Sequence, residues 1–385
     1  MDFAPESRAK RRGSSLATMV VVVMASALLG VAKAAVKTGA HIQSAGRECK
    51  QGDIFTGNDF TAATIPTDCV ALNLYSEVNG GARIGAEGAA ALAAALKENT
   101  NRGVRELHLD DNNLGDEGAA AIADALTTTR VFTSVVQKGK PHKVELVVNN
   151  RIWKLSMASN SIGDVGAAAL ADAIIEVNNT ALQELWLYGN AISDDGAAAF
   201  GEAIKSGQCW LTMLGLAKNE IGDDGATALA EALESNTEMR ELYLWENMIG
   251  DESAIAFAEA LKVNSVMMKM SLAENVIGNA GAAALDGALR TNTQLIELAL
   301  KYNYNFKDKA VAASIEASLH ENVECQKDPA KREEKASRVA REESGVDKAL
   351  AFLSSVLAEI WELSVFSQVL GVRATPDDAG EREEL

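Results

Sequence analysis

Basic residues are scarce in this chain. Lys and Arg number 36 against 54 Asp and Glu, a formal net charge of −18. That argues against nucleic acid as a partner, because phosphate binding depends on clustered Lys and Arg. Cysteine is also scarce. Cys49, Cys69, Cys209 and Cys325 show no C-x-x-C spacing, so no zinc or other metal site is expected. The four histidines, His41, His108, His142 and His320, fall at unrelated positions and form no Ser/His/Asp or Cys/His grouping. The glycines make neither a G-x-G-x-x-G nor a P-loop pattern. No catalytic residue, metal or small-molecule cofactor is therefore expected, and the chain does not read as an enzyme.

What is present is a repeat. Leu182–Ile204 reads LQELWLYGNAISDDGAAAFGEAI, Leu211–Leu233 reads LTMLGLAKNEIGDDGATALAEAL, and Met239–Leu261 reads MRELYLWENMIGDESAIAFAEAL. The marker asparagines are Asn112, Asn160, Asn190, Asn219, Asn247, Asn275 and Asn303, and the last four steps between them are 29, 28, 28 and 28 residues. The L-x-L segment alternates as a strand with one buried face does. The asparagine can bond backbone groups in the turn that leaves the strand. Asp116, Asp164, Asp223 and Asp251 stand at helix starts, where a carboxylate satisfies free N–H groups. The paired acids Asp194/Asp195 and Asp223/Asp224 recur in register and are read the same way, not as acid–base pairs. An alanine-rich helix follows. One such unit cannot bury its apolar face alone, so stacked units share a core and the chain need not divide into the two or three domains its length suggests.

This pattern resembles the ribonuclease-inhibitor-like class of leucine-rich repeats, found in ribonuclease inhibitor, NOD-like receptors and the Ran GTPase-activating protein. The resemblance covers about Cys69 to Asn322. It implies an α/β solenoid, or horseshoe, with a parallel concave sheet and convex helices. It also implies a protein-binding role, with GTPase activation or regulation as the alternative.

The expected organisation has six parts. Residues 1–34 carry a basic cluster (Arg8, Lys10, Arg11, Arg12), an apolar run from Leu16 to Val31 and an Ala32-Lys33-Ala34 site. These read as a signal peptide or an uncleaved signal anchor, with a buried helix as the third reading. The first two place the rest of the chain in the secretory pathway, in the ER lumen or outside the cell, and the anchor would tether it to a membrane. Residues 35–68 form an N-terminal cap, and residues 69–325 hold about eight repeats. An insertion near 131–150 joins two β-prone runs through a Gly/Pro turn, a hairpin read either as a partner-contacting loop or as a tolerated insertion. Residues 326–345 are a charged linker, helical or disordered. Residues 346–372 are an apolar helix, with Leu350, Leu353, Leu357, Ile360 and Trp361 at spacings of three and four. It either covers the solenoid's end or serves a partner or self-association. Residues 373–385 are an acidic tail ending Arg382-Glu383-Glu384-Leu385, similar to ER retrieval signals.

Alternation in each strand points the variable positions to the concave face. The candidate ligand-binding residues are Trp186, Tyr188, Lys218, Tyr243, Trp245, Glu246, Lys301 and Tyr302. Two aromatic pairs would flank the small residues Gly215 and Ala217, forming a shallow trough about 10 Å wide for a protein or peptide; packing between neighbouring concave side chains, with no ligand, is the alternative. Cys49 and Cys69 are a candidate disulfide, with two reduced buried thiols as the alternative. Asn178, in Asn178-Asn179-Thr180, is a candidate glycosylation site.

Overall fold

The computed structural model describes residues 47–340 apart from 57–58, 67, 77–81, 99–102, 128–129, 138–139, 148–151 and 176–180. The signal segment, Asn178, the apolar segment 346–372 and the acidic tail lie outside the described residues. Among the described residues no helix is long and apolar enough to cross a membrane.

The repeats form a three-residue strand, five residues in the first copy, and a helix of about three turns, longer in the last copy. Nine strands make one parallel sheet in chain order, from Arg47–Lys50 and Cys69–Asn73 to Glu297–Ala299. The register places one apolar residue of each copy in a row, Leu72, Leu107, Leu155, Leu185, Leu214, Leu242, Met270 and Leu298. All eight are buried. The helices bury a matching face. In Asp223–Ser235 it is Gly225, Ala226, Leu229, Ala230, Ala232 and Leu233. Phe200 and Phe257 take the Leu229 position in the neighbouring copies and are fully buried. Small residues let the helices close on the sheet and on each other. A Cβ on Gly225 would lie 2.9 Å from the Ala197 Cβ, so that position admits no side chain.

Polar ladders lock neighbouring repeats together. Asn247 donates from Nδ2 to the Leu216 and Leu244 carbonyls, both at 3.0 Å, and its Oδ1 accepts from the Ile221 N–H at 3.1 Å. Asn219 and Asn275 make the same bonds one repeat to either side. The asparagine thus serves its own turn, as its sequence position suggests, and also its predecessor's. The residue just before it is left-handed in every well-described copy, at φ 55° for Lys218, 56° for Glu246 and 62° for Tyr302. That conformation costs about 1–2 kcal/mol for a residue with a side chain, and the buried asparagine bonds offset it.

The acids behave differently from the sequence expectation. Asp116, Asp164, Asp223 and Asp251 do not cap their own helices. Asp223 Oδ1 accepts from the Gly250 N–H at 2.9 Å and from Ser253 N–H and Oγ at 3.2 and 2.6 Å, all in the next repeat. Asp116, Asp164, Asp194 and Asp251 bind the corresponding N–H groups one repeat ahead. The N-cap residues Ser193, Gly222, Gly250 and Gly278 make no side-chain cap of their own. Capping is passed forward because the previous helix's first turn lies against the next helix's N-terminus. At the C-terminal end of the solenoid the local form appears. There Asp308 accepts from Ala310 and Val311 N–H in its own helix, Lys309–Lys327.

The two ends are closed by different means. At the N-terminus, Arg47–Lys50 pairs in parallel with Cys69–Asn73, and Cys49 is joined to Cys69 by a disulfide spanning 5.7 Å between Cα atoms. At the C-terminus, residues 329–340 form a helix, one of the two readings of the charged linker. Its Lys335 is 1 % exposed. Lys335 Nζ donates to the Leu289 and Asn292 carbonyls, each at 3.1 Å, and to Asn322 Oδ1 at 2.6 Å. The same pair of carbonyls in earlier copies is served by asparagine. Asn264 Nδ2 binds the Leu233 and Asn236 carbonyls, and Asn292 Nδ2 binds those of Leu261 and Asn264. Lys335 supplies the donor that a further repeat would have brought.

The insertion folds as an antiparallel hairpin, Arg130–Gln137 with Lys140–Val147, separate from the main sheet.

Candidate functional site

The concave side of the sheet carries one residue of each strand between two buried ones. In copies four, five and six these are Trp186, Gly215 and Tyr243, opposite one another in the sheet. The structure shows neighbouring concave side chains packed together where a shallow trough was the other reading. Trp186 lies across Gly215, where an added Cβ would meet its Cε3 at 2.7 Å. It stacks on Tyr243 with ring centroids 5.5 Å apart and planes at 25°. Tyr188 and Trp245 approach to 5.2 Å at 33°. The rings fill the gap because two strand spacings, about 10 Å, are within reach of two large side chains when the residue between them is small. Gly215 and Ala217 are buried beneath this layer. The result is an aromatic plaque, each ring half-buried, rather than a groove.

Charges frame the plaque in pairs. Lys154 Nζ lies 3.3 Å from Glu184, Lys269 Nζ lies 3.1 Å from Glu241, and Lys218 Nζ lies 3.7 Å from Glu246. Each pair joins adjacent strands at matching positions. The Tyr243 hydroxyl donates to Glu241 Oε2 at 2.6 Å. Burial, that bond and the nearby carboxylates of Glu241, Glu297 and Glu184 hold the phenol well above its ordinary range, so it stays protonated. Lys218 lies 5.7 Å above the Tyr188 ring centre. The Tyr188 hydroxyl and Glu246 raise its ammonium pKa.

Six of the eight expected residues, Trp186, Tyr188, Lys218, Tyr243, Trp245 and Glu246, thus come together. Lys218 and Glu246 stand at the left-handed corner where the strand ends, so they form a rim and not the floor. Lys301 and Tyr302 are exposed and belong to the eighth copy, further along the sheet. Sequence reading placed the rings on the right face and held packing between neighbouring concave side chains as the alternative to a trough, and the contact across Gly215 is such packing. The signal was there: a glycine flanked in register by Trp and Tyr.

Cys209 is buried, and burial pushes its thiol up to about 11. The one cluster of potential metal ligands among the described residues, Cys49, Asp68 and Cys69, has both sulfurs engaged in the disulfide.

A single-layer parallel sheet backed by helices, repeated in register, defines an α/β solenoid. Residues 100–123, 154–171, 178–201 and 207–230 match the family described as "Leucine Rich repeat". Together with the repeating strand, asparagine turn and helix, this identifies the repeats of the solenoid as leucine-rich repeats. Comparison with curated proteins gives no match. Among solved structures, the chain is similar to the actin-binding site 2 of leiomodin-1, at 20% identity and a TM-score of 0.33 over 37% of this chain and 82% of that one. It is similar to the tropomodulin C-terminal domain of Caenorhabditis elegans at 16% and 0.29, over 43% and 79%. It is also similar to an internalin of Listeria monocytogenes at 17% and 0.30, over 66% and 82%.

Proposed function

We propose that the chain is a non-enzymatic binding protein that takes a protein or peptide ligand on its concave face, anchored by Trp186, Tyr188, Tyr243 and Trp245. The observation that carries this is the plaque itself. Four aromatic side chains gather, half-buried, on a sheet face that no second layer covers among the described residues. Trp and Tyr dominate binding hot spots because they offer large rigid contact area with a polar handle. The ion pairs around them are part-exposed and supply a polar rim.

The reading extends to the lumen of the secretory pathway or the cell exterior. It is supported by the leader-like segment 1–34 and by the Cys49–Cys69 disulfide, which suits an oxidising compartment. Residue-level cross-linking to captured partners tests the site: cross-links should concentrate around Trp186–Trp245, and cross-links confined to the convex helices would overturn the proposal. Protease protection in intact microsomes tests the location. A solenoid digested without detergent would remove the lumenal reading and favour the GTPase-regulating alternative.

A further inference from the structure

A second exposed surface lies on the edge where strands turn into helices. The residue after each ladder asparagine points outward there. In copies two to five it is Asn113, Ser161, Ala191 and Glu220. In the last three it becomes Met248, Val276 and Tyr304, which are 56 %, 43 % and 81 % exposed. Tyr302, 76 % exposed, adjoins Tyr304. Met248 and Val276 are in register, since the Met248 N–H binds the Ile221 carbonyl and the Val276 N–H binds that of Ile249, the same bond one repeat on. Tyr304 follows in the next copy, where the adjoining Asn305 Nδ2 donates to the Val276 carbonyl at 3.2 Å. Together they make an apolar edge on the C-terminal three repeats, of a kind that marks a contact surface.

The course of the chain indicates the occupant. The helix at 329–340 runs antiparallel to Lys309–Lys327. Lys331 pairs with Glu324 at 2.9 Å, Lys335 with Asn322 at 2.6 Å, and Arg338 with Glu321 at 3.0 Å. Arg338 and Ser314 line one cleft between the two helices. Residue 340 is thus carried back toward the start of the last helix, which is the edge that holds Tyr302 and Tyr304. Six residues further on begins segment 346–372, whose Leu350, Leu353, Leu357, Ile360 and Trp361 recur at helical spacing. As a helix it would be about 40 Å long, more than enough to lie along three repeats.

We propose that segment 346–372 docks through this apolar face on the Met248–Val276–Tyr304 stripe of its own chain. Tethering favours the chain's own segment over a second copy, because a short connection gives it a high effective concentration. The test is a photo-crosslinker, p-benzoylphenylalanine, placed at Tyr304 in the full-length chain, where it replaces one exposed aromatic by another. Irradiation should give an adduct within 346–372 on a band of monomer size. An adduct of dimer size, or none, would overturn the proposal. Val276→Lys, an exposed change that leaves the core intact, should abolish the adduct and speed proteolysis between residues 341 and 372. An undiminished adduct in that variant would also count against it.

Discussion

Copies four, five and six place an asparagine, an isoleucine and an aspartate at the same three turn positions: Asn190, Ile192 and Asp194; Asn219, Ile221 and Asp223; Asn247, Ile249 and Asp251. At the concave strand position the same copies carry Trp186, Gly215 and Tyr243. The difference follows from what each group touches. A turn asparagine serves backbone atoms in its own repeat and its neighbour, so its size and both its polar atoms are constrained. A concave side chain such as Trp186 packs on a neighbouring ring and over a bare glycine. Repetition of identity marks the part that builds the solenoid, and its loss marks the part free to take on binding.

The sharpest way to break this contrast is Asn247→Ala. It would leave buried carbonyls and an N–H unpaired and should destabilise the protein by about 3 kcal/mol, while Lys301→Ala on the concave side should change stability by less than about 0.5 kcal/mol. Equal costs in denaturant unfolding would refute the distinction. The N-terminal end is held by a cross-link rather than a ladder. Cys49→Ala/Cys69→Ala opens a loop of sequence separation 20 and should cost about 3 kcal/mol, with reduction of the natural chain giving the same shift. If hydrogen exchange at Cys69–Asn73 stays unchanged after reduction, the disulfide is not what closes that end. Smaller still is Trp186→Ala, which loses one stacked pair worth about 1 kcal/mol. The smallest effect is pH-dependent. Burial raises the Asp223 carboxyl pKa, but the bonds from Ser253 and Gly250 outweigh burial and hold it below the ordinary value. A depressed folded-state pKa stabilises above the unfolded value of about 4 and is lost as pH falls through the folded one. Acid titration of stability should therefore be flatter in Asp223→Asn than in the natural chain; superimposable curves would show that Asp223 is not linked to folding.

Much of the fold was legible. The 28-residue step, the L-x-L strand and the alanine-rich helix each have one local cause, and the asparagine turn follows from the side chain's reach. What stayed hidden crosses between repeats. Asp223 looks like a local cap in sequence, because nothing there tells that the next helix's N-terminus lies nearer its carboxylate. Asn236, Asn264 and Asn292 recur at the same step, yet only the register of the stack reveals that Lys335 completes their series. A buried lysine in the run PAKREEKASR reads as solvated charge until the missing donor is seen. In the site, alternation gave the face, but the closure of Trp186 on Tyr243 depended on the spacing of strands and the bareness of Gly215.

The central claim is that the concave plaque binds and the spine only builds. It is tested most directly by affinity capture with the natural chain and with Trp186→Ala/Trp245→Ala, at a temperature where unfolding curves show both folded. The account predicts that the variant loses the partners the natural chain recovers. Recovery of the same partners in the same amounts would contradict it.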